Sequence, residues 1–412
     1  MMNRRTMRRV FTAGVGLALA IPLAACGSDG GDGGSDGESF EFTVQSVYGP
    51  EAEQTKALLE WTEAITEDTD GNVTFEFAYG PTLAPLAEVE EAMSSGLVDI
   101  ALGLPSYSPE KFPINSVLPE LAHLVDASPV LGTLQMGSFM ETGFDKDVVG
   151  EIEALGLKTL MPMWGYLNEY TLICKDKPVS SLAEAKGRKV RVPGTIWANE
   201  VEALGMEPVF LPSDEQFDAY QRGMFDCIVQ NWGDMVHTGL LQESNYLMTD
   251  PEVGLTGWAS LHLSMGQDQW DSMPLDYQQA FWDNLSKHNE RFVQSGFINS
   301  KNADAVVEEK GIEIVEFEDD LREALREYQA ANVESVKERL DGLVEDPDAL
   351  VDGLVEDVEE WKSVLTDDLD MGEYEQYGTW AEWMQAEGDG EVDVSAWSDY
   401  LQENIYGPRR PE

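Results

Sequence analysis

The sequence predicts an α/β protein of two lobes. Three observations carry that reading. The chain has 412 residues, 42% of them hydrophobic, which is enough for more than one core. Residues 40–102 alternate strand, helix, strand, helix, strand, and residues 159–229 repeat the alternation. Such an order places parallel strands in doubly wound sheets, which take their ligands outside the carboxyl ends of the strands.

Each element has a local cause. Phe40, Phe42 and Val44 alternate with polar residues until Tyr48-Gly49-Pro50 breaks the strand. Ala57, Leu58, Trp61 and Ile65 recur at helical spacing over residues 51–67. Thr69-Asp70-Gly71-Asn72 turns the chain into a strand over 73–78, a helix follows near 86–93, and 98–102 is a short buried strand. Residues 45–48 and 103–107 therefore stand at strand ends. In the second run, 159–164, 170–174, 189–192, 207–211 and 225–229 read as strands, with helices over 181–185, 196–204 and 214–222. After Pro274 the chain is mostly helical to about Leu343. Residues 346–412 form an acidic extension with Trp361, Trp380, Trp383 and Trp397, expected to dock rather than trail, because exposed indole is costly.

Charge narrows the function. Twenty-six Lys and Arg stand against 78 Asp and Glu, a net charge of −52. Such a field repels phosphate backbones and anionic headgroups, so nucleic acid is excluded as a partner. It also suits a surface solvated in concentrated salt, where ions screen self-repulsion. Residues 1–25 read as a lipoprotein signal peptide: Arg4, Arg5, Arg8 and Arg9 precede an apolar stretch, and Leu23-Ala24-Ala25-Cys26 is a lipobox with Cys26 as the lipidated residue. Residues 26–38, Gly- and Asp-rich, form a tether. The chain is thus expected to be exported and lipid-anchored on the outer face of the cytoplasmic membrane.

Enzyme signatures are missing. There is no phosphate loop, no GxGxxG after a strand, no GxSxG elbow and no HExxH. His123, His237, His262 and His288 are too scattered for a zinc site and read as packing or surface residues. Asp68-Thr69-Asp70-Gly71-Asn72 has its glycine too early for a calcium loop. No enzyme activity, cofactor or metal is expected. Cys174 and Cys227 are expected to be two separate buried thiols, the alternative being a disulfide.

Six pieces in order carry a family resemblance. They are residues 69–73 (TDGNV), 80–83 (GPTL), 93–100 (MSSGLVDI), 185–194 (AKGRKVRVPG), 203–226 (ALGMEPV through the aromatic helix to Asp226) and 270–274 (WDSMP). Over residues 40–343 the chain resembles the solute-binding proteins of tripartite ATP-independent periplasmic (TRAP) transporters, of the C4-dicarboxylate-binding (DctP) type. The resemblance implies a periplasmic-binding-protein-like fold: two α/β lobes around a ligand cleft, with a helical C-terminal region. It sets lobe I at 39–165 and about 253–285, and lobe II at 166–252 and about 286–345. It also implies membrane subunits of a TRAP transporter as partners and a small organic acid as ligand.

Arg191 closes an apolar strand just before Pro193-Gly194, where a guanidinium can fork onto a carboxylate. The resemblance makes it the ligand clamp, the alternative being an ion pair with a nearby acid. By resemblance Gln230, Asn231 and Trp232 face the same cleft, Asn231 as donor and Trp232 as wall. Tyr48, Tyr107, Trp164 and Tyr170 fall at strand ends and are candidates for the lining. Many relatives carry a second arginine about twenty residues earlier; here that count lands on Thr171. One cation implies a monocarboxylate, unless a metal held by Gln230 or Glu169 supplies the missing charge. The rivals are a lipoprotein of an ATP-driven importer, a ligand-sensing lipoprotein and an extracellular hydrolase.

Overall fold

A computed structural model describes residues 38–412 apart from 127, 166–169, 258–259, 379 and 387–390, and omits the side chains of Trp164, Ala381, Met384 and Gln385. The signal, most of the tether, Cys26 and Glu169 lie outside the described residues.

Eleven strands are described: β1 Phe40–Ser46, β2 Val73–Tyr79, β3 Ile100–Gly103, β4 Leu157–Trp164, β5 Tyr170–Cys174, β6 Lys189–Val192, β7 Glu207–Phe210, β8 Cys227–Asn231, β9 Tyr246–Met248, β10 Leu261–Gly266 and β11 Glu313–Val315. They form two sheets, ordered β2-β1-β3-β10-β4 and β11-β9-β5-β8-β6-β7. β1 is parallel to β2 and β3, as the βαβ alternation requires, and so is β6 to β7 and β8. The sheets are nevertheless mixed. β10 enters the first antiparallel between β3 and β4, and β5 runs antiparallel to β8 and β9. This corrects the purely parallel expectation, because β10 arrives from far along the chain and local periodicity carries no sign of its direction.

The 69–72 turn forms with Asp70 at φ 51° and Gly71 at φ 80°, left-handed values that suit a short polar residue and glycine. β5 and β8 lie inside the second sheet, and all their residues are buried. β8 also runs two residues beyond the predicted 225–229, so Gln230 and Asn231 belong to the strand itself. Cys174 and Cys227 are register partners across β5 and β8 and are joined by a disulfide, which corrects the expectation of separate thiols. Antiparallel pairing brings their Cα atoms to 4.2 Å.

The C-terminal extension docks. The helix Pro347–Ser363 begins with Asp346 accepting from the Ala349 amide and Pro347 in the first turn. It packs on the helix Pro129–Gly143. Further on, Trp397 Nε1 donates to Leu134 O at 3.1 Å, and Ser398 Oγ to Ser286 O at 3.0 Å. Trp282 Nε1 and Asn289 Nδ2, from within or just before the long helix Leu285–Lys310, hold the backbone and hydroxyl oxygens of Tyr406. Trp361, Trp380, Trp383 and Trp397 are all buried. Among the described residues no helix is long and apolar enough to cross a membrane.

Candidate functional site

The carboxyl ends of β1, β3, β6 and β8 meet at one cavity of about 120 Å³ between the two sheets. Segments 45–48 and 103–107 both reach it, as their strand-end positions require. Of the sequence-predicted residues, Arg191, Gln230, Asn231, Tyr48, Tyr107 and Tyr170 line it. The side chain of Trp164 lies outside the described residues. Trp232 is a correction: it is 1% exposed, sits in the main hydrophobic core, and its indole donates to Ser300 O at 3.0 Å. The chain turns after Asn231 and carries Trp232 away from the cleft. Thr171, where the second arginine was counted, is not part of the lining either; its neighbour Tyr170 takes that place.

Arg191 is fully buried. Its Nε donates to Leu211 O at 2.8 Å and its Nη1 to Val229 O at 3.3 Å, so two backbone carbonyls aim the guanidinium. Nη2 has no hydrogen-bond partner, and among the described residues no Asp or Glu pairs with Arg191. The ion-pair alternative therefore does not hold for those residues. Burial draws the arginine pKa down, while the hydroxyls of Tyr107, Tyr170 and Tyr48 pull it back up. The Tyr107 hydroxyl lies beside the guanidinium without hydrogen-bonding Nη2. Among the described residues the guanidinium thus has neutral partners only, and unpaired buried charge is expensive.

Other charges are few. Among the described lining residues Arg191 is the one permanent cation and Asp234 the one acid. His288 lines the cavity too, but burial lowers its pKa to about 4 and its Nδ1 donates to Ala57 O, so it is neutral. Burial raises the Tyr170 hydroxyl above the usual tyrosine range, and Asp234 adds to that. Tyr170 is stacked on Trp197 at 4.5 Å. The first sheet and its helices supply an apolar wall of Leu58, Leu86, Leu102, Leu261 and Leu263. No group of three or more His, Cys, Asp or Glu able to hold a metal occurs among the described residues.

The two lobes touch across the cavity. Tyr107 Oη donates to Ser213 Oγ and accepts from the Ser213 amide. Gln54 Nε2 also reaches across to Asp234 Oδ1 at 3.1 Å, while within the second lobe Asn231 Nδ2 donates to Asp234 Oδ2 at 2.6 Å. Sequence reasoning missed Ser106, Asp234 and Gln54. Ser106 lay inside a flagged strand-end segment, while nothing local marked Gln54 or Asp234.

Two α/β lobes around a cleft have the architecture of a periplasmic binding protein. The comparisons make this specific: residues 44–339 match the bacterial extracellular solute-binding protein family 7 (DctP), and the chain belongs to that family. Solved TRAP solute-binding proteins share its fold. One from Rhodoferax ferrireducens, in complex with benzoate, has TM-score 0.68 at 16% identity, covering 79% of this chain and 99% of that one. One from Bordetella bronchiseptica, with bound (R)- and (S)-mandelate, has TM-score 0.65 at 20% identity, covering 78% and 99%. A third, from Chromohalobacter salexigens with bound D-glucuronate, has TM-score 0.63 at 18% identity, covering 78% and 99%. The protein is thus an extracytoplasmic solute-binding protein. The family match ends before the C-terminal helices.

Proposed function

We propose that the protein captures a small monocarboxylate in this cleft and delivers it to the membrane subunits of a TRAP transporter. The observation that carries the reading is Arg191, a fully buried guanidinium with an unpartnered Nη2 and no acid paired to it among the described residues. One ligand carboxylate completes it. A second carboxylate would find no second permanent cation in the described lining and would meet Asp234. Burying it would cost several kcal/mol. The apolar leucine wall suits a hydrocarbon or aromatic remainder, and the tyrosines and amides suit hydroxyls. The benzoate and mandelate carried by two fold relatives are ligands of this kind. Lipid on Cys26 and the 27–38 tether would keep the binding domain at the outer face of the membrane.

A thermal-shift screen in molar salt tests the reading. A ligand bound only by the folded state stabilises it by about 2.7 kcal/mol at a hundred times its dissociation constant. Monocarboxylates are expected to raise the melting temperature and C4-dicarboxylates to leave it unchanged. The reverse order would refute the single-cation pocket.

A further inference from the structure

We infer that Ser106 is the second donor to the ligand carboxylate, presented from the lobe opposite Arg191. The inference rests on the carboxylate reading above. Ser106 sits in the turn Pro105–Tyr107, just after β3, and lines the cavity with 2% exposure. Its Oγ is buried and has no hydrogen-bond partner. Arg191 Nη2, in the lining on the other lobe, shares both properties. Buried polar groups nearly always find partners, so each of these two calls for an explanation. A carboxylate supplies one: it accepts at both oxygens and can take a guanidinium N–H and a hydroxyl together.

Gly194 lets the two donors converge. It lies three residues after Arg191 and packs against the Ser106 turn. A Cβ there would stand 2.9 Å from Ser106 Cβ and 3.1 Å from Ser106 O. Its φ of −176° is open to any residue, so space and not backbone freedom is what glycine provides. On the far side of the turn, the Tyr107–Ser213 bonds pin the next residue to the second lobe. The turn that carries Ser106 is thus held from both sides, and a ligand carboxylate would bridge the lobes and hold them closed.

The test is calorimetry with benzoate, mandelate and pyroglutamate on the wild type, Ser106→Ala and Gly194→Ala, together with the melting temperature of each ligand-free protein. Ser106→Ala should weaken the tightest-binding probe about tenfold to a hundredfold, the range for a hydrogen bond to a charged group. Its ligand-free melting temperature should stay level or rise, because an unpartnered buried hydroxyl is removed. Gly194→Ala should weaken the same probe, because the added methyl group presses on the Ser106 turn and displaces its hydroxyl. Unchanged affinity in Ser106→Ala overturns the inference whatever the melting temperature. Unchanged affinity in Gly194→Ala overturns the convergence at that contact. If no probe binds the wild type, the carboxylate reading itself fails.

Discussion

Gly137 lies flat against the indole of Trp361: a Cβ at position 137 would stand 2.3 Å from Cη2 and 2.5 Å from Cζ3. The helix Pro129–Gly143 can receive the C-terminal helix because this position has no side chain. The extension therefore belongs to the core. Trp361→Ala is expected to destabilise the protein by about 3–5 kcal/mol, the usual cost of emptying a large buried aromatic site. Gly137→Ala should also destabilise, since the indole must move. Thermal unfolding checks both, and a melting temperature unchanged in either variant would mean the docking contributes nothing.

The Cys174–Cys227 bond closes a loop with a sequence separation of 53. Loop-closure entropy for that length corresponds to about 4 kcal/mol in the chain-entropy account. Replacing both cysteines by alanine should lower stability by about 2–4 kcal/mol. The bond itself is checked by titrating thiols in the chain from Gly27 onward, denatured without reductant. No free thiol is expected, and two would contradict the pairing.

Glu200 should make stability fall as pH rises. It is fully buried, and burial raises its pKa from 4.5 to about 7. Thr256 donates to it from its amide and hydroxyl, and Gln329 from Nε2, which opposes the shift; nearby Glu120 adds to it. Glu120 is itself paired with Arg339. Below pH 4.5 both folded and unfolded chains hold the proton and nothing is lost. Between 4.5 and 7 the unfolded chain releases it while the folded chain keeps it, so stability declines. The total is on the order of 3 kcal/mol. Glu200→Gln should flatten this slope in melting curves from pH 5 to 7.5. A slope equal to that of the wild type would exclude Glu200 as its source.

Much of this arrangement was legible in the sequence, and the exceptions have physical reasons. β1 and its helix announced themselves because each buries one face and so repeats at its own period. Arg191 stood out as a cation ending an apolar strand. The helix Pro129–Gly143 gave no periodic signal: it is buried on nearly all sides, between β4 and the C-terminal helix, so its apolar residues are spread around it instead of forming one stripe. The direction of β10 and the pairing of Cys174 with Cys227 are set by contacts distant in sequence. Trp232 belongs to the core and not to the cleft because β8 ends at Asn231 and the indole beyond it is held by Ser300 O. Ser106 is recognisable only from what it fails to touch.

The lipobox leads to a prediction about location. Wild-type protein should fractionate with membranes and be released by protease acting within residues 27–38. Cys26→Ser should not carry the lipid and should be found unanchored. A Cys26→Ser protein still fully anchored would remove the lipid tether.

The central claim is that Arg191 alone supplies the charge that holds one ligand carboxylate. Isothermal titration of the wild type, Arg191→Ala and Arg191→Lys with matched mono- and dicarboxylates, free of divalent metal, tests it most directly. The account predicts monocarboxylate binding in the wild type, none in Arg191→Ala, and at least tenfold weaker binding in Arg191→Lys, whose ammonium cannot reproduce the planar fork. Tight binding of succinate or malate, or wild-type affinity in Arg191→Ala, would contradict it.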